Sequence, residues 1–185
     1  IEVNEVSNGL IYKSEEYNIE CLELKHKIPT IGFALVENPK RKMNMDFMKK
    51  MKIPQGPLWN KLQKGQTVTH NGKKITPDEA TTLVPGKKIA YVTDTLYCTN
   101  AVKLAEDADV LLSDSTFLSD KEEMAEEYTH LTAKRAAEIA NKANVKKLVL
   151  IHFSQRYKTT ADLEEEARTY FPNTKAAHDF MKIKV

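Results

Sequence analysis

His26, Asp94 and His152 each stand at the end of an apolar run of strand type. His26 shares a period-two face with Leu22 and Leu24, Asp94 is in phase with Ala90 and Val92, and His152 is in phase with Leu148 and Leu150. Folds that alternate strands and helices place ligand sites at the carboxyl ends of their strands. Imidazole nitrogen and carboxylate oxygen both ligate zinc, and a carboxylate can bridge two ions. The chemistry this set supports is metal-assisted hydrolysis. Taken singly, each residue has a plainer reading: a histidine near a strand end is commonly a hydrogen-bonded rim residue, and Asp94 followed by Thr95 could simply make a turn. The spacing is too long for a compact zinc signature, so the residue types alone reach no further than a metal-dependent hydrolase.

The elements that must carry these residues can be read from periodicity and punctuation. Residues 9–13 and 17–26 form a hairpin joined by Ser14-Glu15-Glu16, and 31–37 form a third strand after Pro29. From residue 87 the pattern becomes α/β. Strands are expected at 89–94, 110–113 and 148–152, the last a continuous apolar run of the kind covered on both faces. Helices are expected at 100–107 (capped by Thr99 or Asn100), near 120–128, at 132–143 (capped by Thr132) and at 162–170, with 180–185 as a closing strand. Residues 38–86 interrupt this rhythm with five prolines and four glycines, and read as a long insertion. Within it 46–52 fits a short helix, with Met43, Phe47 and Met51 in one stripe, and His70-Asn71-Gly72-Lys73 fits a tight Asn-Gly hairpin.

At 185 residues the chain fits one domain with enough length for a real core. No apolar run approaches the length of a membrane span, and no secretory or transit signal opens the chain. It begins at Ile1, already in strand-like sequence, so the native start is expected to lie further upstream. Cys21 and Cys98 are too few for a disulfide framework and form no C-x-x-C pair, which fits a reducing cytoplasm. The net charge of +2 hides a strong division along the chain. Residues 38–75 hold Lys40, Arg41, Lys42, Lys49, Lys50, Lys52, Lys61, Lys64, Lys73 and Lys74 against Asp46 alone, giving +9 and leaving −7 for the remainder. A basic segment on an acidic body suits a protein that grips a polyanion at one place, although a solvated Lys-rich insertion would have the same charge.

Four ordered segments, YVTDT, SDSTF, YTHLTA and LIHFSQRY, resemble the C-terminal signature of the ribonuclease Z family, the tRNA 3′-processing endonucleases of the metallo-β-lactamase superfamily. The resemblance covers essentially the whole chain and implies the C-terminal portion of a metallo-β-lactamase αββα sandwich, with 1–37 and 87–185 as its body. It implies Asp94 as the ligand bridging two zinc ions and His152 as a ligand of the second zinc. LELKHKIPTIGFALVE is similar to an earlier family motif and implies His26 as a ligand of the first zinc. His130 matches the family histidine that helps protonate the leaving oxygen, with Leu131 where serine is usual. Asp114 matches a residue that orients ligands, and Arg156 is a candidate phosphate contact. MKIPQGPLWNKLQKGQTV resembles the Gly-Pro motif of the flexible arm that holds tRNA. It implies that Gly56 and Pro57 set a turn, that Leu58 and Trp59 fold the arm on itself, and that its lysines and Arg41 meet phosphates without reading sequence. His70 and His178 match no ligand position.

The family's H-x-H-x-D-H motif, which supplies further zinc ligands and the general base, does not occur in these residues. The activity implied is removal of the 3′ trailer from precursor tRNA by water activated between two zinc ions, in a cytoplasmic homodimer that engages no membrane. The chain alone is expected to be close to inactive. Two alternatives remain open: a phosphodiesterase of the same fold acting on small substrates, and an inactive RNA-binding or dimerisation module.

Overall fold

Residues 5–185 are described by a computed structural model. In chain order the elements are β1 (Gly9–Lys13), β2 (Tyr17–Glu23), β3 (Ile31–Glu37), β4 (Lys40–Met43), α1 (Met45–Lys50), α2 (Pro57–Gln63), β5 (Val68–His70), β6 (Lys73–Ile75), α3 (Pro77–Ala80) and β7 (Thr81–Val84). There follow β8 (Lys88–Val92), α4 (Thr99–Ala105), β9 (Val110–Asp114), α5 (Glu122–Tyr128), α6 (Ala133–Lys142), β10 (Leu148–Ile151), α7 (Ala161–Tyr170) and β11 (Thr174–Ala176). They form two compact units, one from the segments up to Glu37 and from Lys87 onward, the other from Asn38–Gly86.

In the first unit seven strands make one sheet in the order β1-β2-β3-β8-β9-β10-β11. The pairs from β1 to β8 are antiparallel and those from β8 to β11 parallel. Small and aliphatic residues decide which face the helices cover. Ala34, Ala90, Leu111 and Leu148 lie side by side in register, all 0% exposed, and pack with α4, α6 and α7. Gly32 belongs to the same face: a Cβ there would sit 2.7 Å from Leu104 Cδ2 and 2.9 Å from the Tyr91 carbonyl oxygen, so only glycine lets α4 approach. Helix α6 buries an alanine-rich stripe (Ala133, Ala136, Ala137, Ala140) with Ile139, and its cap Thr132 accepts a hydrogen bond from Arg135 N. The opposite sheet face carries Cys21, Phe33, Tyr91, Leu112 and Val149 in register. There Tyr91 is 40% and Leu35 36% exposed.

Several boundaries differ from the sequence expectation: β8 stops at Val92, two residues before Asp94, and β10 at Ile151, one before His152, because both residues turn into left-handed backbone. Strand β2 ends at Glu23 rather than at His26, because Leu24 N bonds Thr30 O at 2.9 Å and Lys25 N bonds Thr95 Oγ1 at 3.0 Å, drawing the chain out of the sheet. Helix α4 begins at Thr99 with Cys98 as an N-cap that makes no side-chain capping bond, while Asn100 Nδ2 donates instead to Glu23 O at 2.9 Å. The last strand is Thr174–Ala176, paired in parallel with β10; beyond it Phe180 adopts φ 63 and 180–185 form no strand.

The Asn38–Gly86 unit has its own core of Met48, Ile53, Leu62, Val68, Ile75 and Ala80, against which Phe47, Leu58 and Trp59 pack. Strands β4 and β7 pair antiparallel at its base, and β5 and β6 form the hairpin, with Asn71 at φ 49 and Gly72 at φ 74 as an Asn-Gly turn requires. Gly56 differs from expectation. It is the extended N-cap of α2 (φ 162, ψ −159), followed by Pro57 in the first turn of the helix, and so makes no glycine-dependent turn.

Candidate metal centre

Strands β8, β9 and β10 are parallel neighbours, so their carboxyl ends deliver three side chains to one place. Asp114 is the last residue of β9, His152 follows β10 directly, and Asp94 stands two residues beyond β8. Asp94 and His152 both hold left-handed backbone, at φ 46 and φ 59, a conformation non-glycine residues adopt only when their surroundings fix it. His152 Nε2 lies 3.0 Å from Asp94 Oδ1.

Asp114 is the hub. Its side chain is fully buried, and its two oxygens accept five hydrogen bonds. Oδ1 accepts from Thr116 N at 2.9 Å and Thr116 Oγ1 at 2.7 Å. Oδ2 accepts from His130 Nδ1 at 2.9 Å, Thr95 N at 3.3 Å and Leu131 N at 3.4 Å. Burial pushes this carboxyl up, but the bond from His130, the nearby His152 ring and the bond from Thr116 outweigh it and hold the group below the usual carboxylate range. Because the Thr116 hydroxyl donates to Asp114, its oxygen is left to accept from His152 Nδ1–H at 2.9 Å. That relay orients the His152 ring and leaves Nε2 facing Asp94. The Asp114 carboxylate, 3.7 Å from His152 Nδ1 and linked to it through Thr116, raises the imidazole above its ordinary value; burial opposes this, and the charge of Asp94 adds to the rise.

His130 precedes α6 and donates through Nδ1 to Asp114, so Nε2 is the atom left for chemistry. Its ring stacks on His152 with centroids 5.0 Å apart, and the His26 centroid lies 5.2 Å away on a tilted plane. Leu131 is 1% exposed and sits in the core, so the side chain at this position does not reach the site while its backbone N–H does.

Asp94, Asp114, His130 and His152 can each present a ligand atom within 4.8 Å of the others. His26 is outside that group: it lies in the loop after β2, with Nδ1 accepting from Ile28 N at 3.3 Å. A tetrahedral zinc with bonds of about 2.0–2.2 Å sets its ligand atoms about 3.3–3.6 Å apart. The direct contact between Asp94 Oδ1 and His152 Nε2 is 3.0 Å, so a small widening of it would admit one ion with this pair as part of its ligand set. Asp114 fits less well as a ligand, because both of its oxygens are already occupied by donors.

Arg156 donates from Nε to Ser154 Oγ at 3.0 Å, and its guanidinium lies 5.0 Å from the Phe117 ring centroid. Arg41 is not a free cation: it pairs with Asp78 at 2.7 Å and donates to Thr81 Oγ1 at 3.0 Å. Lys40, Lys42, Lys49, Lys50, Lys52, Lys61 and Lys64 are exposed on the Asn38–Gly86 unit. Sequence reasoning missed Thr116 and Thr95, which tie the loops to Asp114. The signal for Thr116 was the Asp-x-Thr spacing, which lets a hydroxyl and a backbone N–H meet one carboxylate.

A family model described as a beta-lactamase superfamily domain matches residues 40–153. Ribonuclease Z of Microcystis aeruginosa is 39% identical over 193 residues, covering 100% of this chain and 61% of the relative. That of Crocosphaera subtropica is 37% identical, with 100% and 62% covered. The chain thus spans about three fifths of the length of these curated relatives. The crystal structure of the short form of human tRNase Z superposes with a TM-score of 0.58 at 25% identity, covering 95% of this chain and 46% of that one. A metallo-beta-lactamase fold protein from Bacillus subtilis superposes at 0.61 with 16% identity, covering 95% and 52%, and speaks to fold alone. With the domain model spanning well over half of its residues, the chain belongs to the beta-lactamase superfamily, has the metallo-β-lactamase fold, and is a homologue of the ribonuclease Z enzymes.

Proposed function

We propose that the protein acts in the removal of the 3′ trailer from precursor tRNA, as a zinc-dependent endonuclease of the ribonuclease Z type. The observation that carries this reading is the meeting of Asp94 Oδ1 and His152 Nε2 at 3.0 Å, beside a His130 whose Nδ1 is held by buried Asp114. The relatives named ribonuclease Z and tRNase Z supply the substrate class.

In this reading Asp94 and His152 would hold zinc, with His26, whose ring centroid lies 5.2 Å from that of His130, as a further candidate ligand at the rim of the centre. When bound, the metal supplies Lewis-acid polarisation of the phosphodiester and of the attacking water. The remaining work belongs to the chain's own side chains. Asp114 holds the His130 ring by Nδ1–H so that Nε2 faces the centre; in its doubly protonated form the ring would pass the Nε2 proton to the departing ribose oxygen and be left as the neutral Nδ1–H tautomer. Thr116 keeps the His152 ring in its ligand orientation. Arg156, anchored by Ser154 and Phe117, stands near for a phosphate oxygen. The lysines of the Asn38–Gly86 unit hold the tRNA body as a sequence-independent grip. A homodimer in which one subunit's basic unit serves the other's centre fits this division of labour.

Asp94 and His152 fall short of the three or four protein ligands typical of zinc sites. These 185 residues by themselves are therefore expected to bind zinc weakly and turn over little. The test is cleavage of a labelled precursor tRNA by the enzyme bearing this chain, with and without His152→Ala. Loss of cleavage by two orders of magnitude or more is expected, and retention of full cleavage would remove the ligand assignment.

A further inference from the structure

We infer that the cavity beside Gly56 in the Asn38–Gly86 unit is a nucleobase pocket, with Trp59 as its stacking wall. This rests on the reading that the unit grips RNA, and it specifies how.

Gly56 is a glycine that neither conformation nor packing requires. Its backbone is extended, its only bond to α2 is a carbonyl accepting from Trp59 N at 3.0 Å, which any residue could supply, and a Cβ added there meets nothing within 4 Å. What it does is line an open cavity of about 480 Å³, within the ~300–1,000 Å³ typical of small-molecule sites. A bare backbone at such a wall lets a flat ligand approach closely.

The other walls have the chemistry a base requires. Trp59 offers an aromatic face, and Met43 and Met45 offer polarisable thioethers that adapt to shape. Gln55, Asn60 and Gln63 add three carboxamides, each presenting both donors and an acceptor as a base edge does. Among the described residues Gln55 and Asn60 make no side-chain hydrogen bond, and Gln63 makes only a long one, 3.4 Å to the Arg41 carbonyl. They are uncommitted. Lys42 supplies an ammonium for the attached phosphate. The buried Trp59 indole N–H donates to no acceptor, so the ring has no hydrogen bond to lose when it tilts to meet a base. The unit carries ten Lys or Arg against Asp46, Asp78 and Glu79, which favours a polyanion over a peptide or lipid as the source of the ligand.

Trp59 is the chain's one tryptophan, so its fluorescence reports on this pocket directly. Titration with a tRNA transcript is expected to quench it as binding proceeds. Gly56→Phe places a ring into the cavity; it is expected to abolish the quench and weaken tRNA binding about tenfold, the scale of one stacked base, with the thermal midpoint unchanged. Tight binding with full quench in Gly56→Phe overturns the pocket and leaves the grip standing. A parent chain that binds no tRNA at low salt overturns both. Quenching by a short acidic peptide but not by tRNA overturns the nucleobase assignment. Should Gly56→Phe fail to fold, Asn60→Ala with Gln63→Ala decides the matter: unchanged affinity and quench refute the pocket, and a several-fold loss of both supports it.

Discussion

Replacing Asp114 by asparagine tests whether one buried carboxylate organises the candidate centre. Its oxygens face two donors on the Oδ1 side and three on the Oδ2 side. An asparagine has one acceptor oxygen, so either orientation turns an amide N–H₂ toward at least two donors. Losing two charge-assisted bonds at about 1.5–3 kcal/mol each, and leaving their donors buried, puts the cost at roughly 3–5 kcal/mol. The long bonds from Thr95 N and Leu131 N add little to this. The assay is urea unfolding at pH 7, followed by the same measurement at successively lower pH. The Asp114 carboxyl is held below its unfolded value, so its contribution is fully present above the usual carboxylate range and disappears as pH falls through the folded value. The gap between parent and variant should therefore close in acid. A loss under about 1 kcal/mol at pH 7, or a gap that does not change with pH, would refute the hub.

Asp109 offers an independent acid-stability test away from the site. Burial raises its carboxyl, but bonds from Lys146, Lys88 N and Lys87 bring it from 3.8 down to about 2. That difference corresponds to about 2 kcal/mol of stability, present above pH 4 and lost as pH falls toward 2, and Asp109→Asn should remove it in denaturant melts. Excising Asn38–Gly86 and joining Glu37 to Lys87 through two glycines should leave the first unit cooperatively folded by calorimetry, since Glu37 N already bonds Lys87 O at 2.8 Å. Zinc affinity measured by calorimetry should fall at least about tenfold in both His152→Ala and Asp94→Asn, as for loss of a metal-orienting contact or more. Affinity for tRNA should drop by about a thousandfold between 50 and 200 mM salt if six or more of the exposed lysines meet phosphates.

Much of the sheet was legible because its strands obey simple rules. The unbroken apolar run at β10 and the Thr132 cap before α6 each have a local cause that a sequence displays. Asp94 and His152 were legible for the same reason, as polar ends to apolar runs. His26 was placed at the end of a strand that stops three residues earlier, at Glu23, because the bonds that end β2 come from Thr30 and from Thr95, the latter 70 positions away, which no window along the chain can see. The five-donor arrangement around Asp114 was likewise hidden: its donors come from three loops that meet only once β8, β9 and α6 are packed. Arg41 read as a phosphate contact on charge alone, while its commitment to Asp78 depends on the pairing of β4 with β7.

The left-handed backbone at Asp94 and His152 bears on how this site can drift over evolutionary time. Most side chains cost about 1 kcal/mol or more in that conformation, and glycine and asparagine cost least. Each position is therefore filtered once for chemistry and once for backbone shape. A lineage that abandoned the metal would not pass freely through valine or isoleucine here; it would settle on glycine or asparagine. Related chains with Gly or Asn at these two places should keep the fold, having lost the candidate ligand side chains and relaxed the backbone.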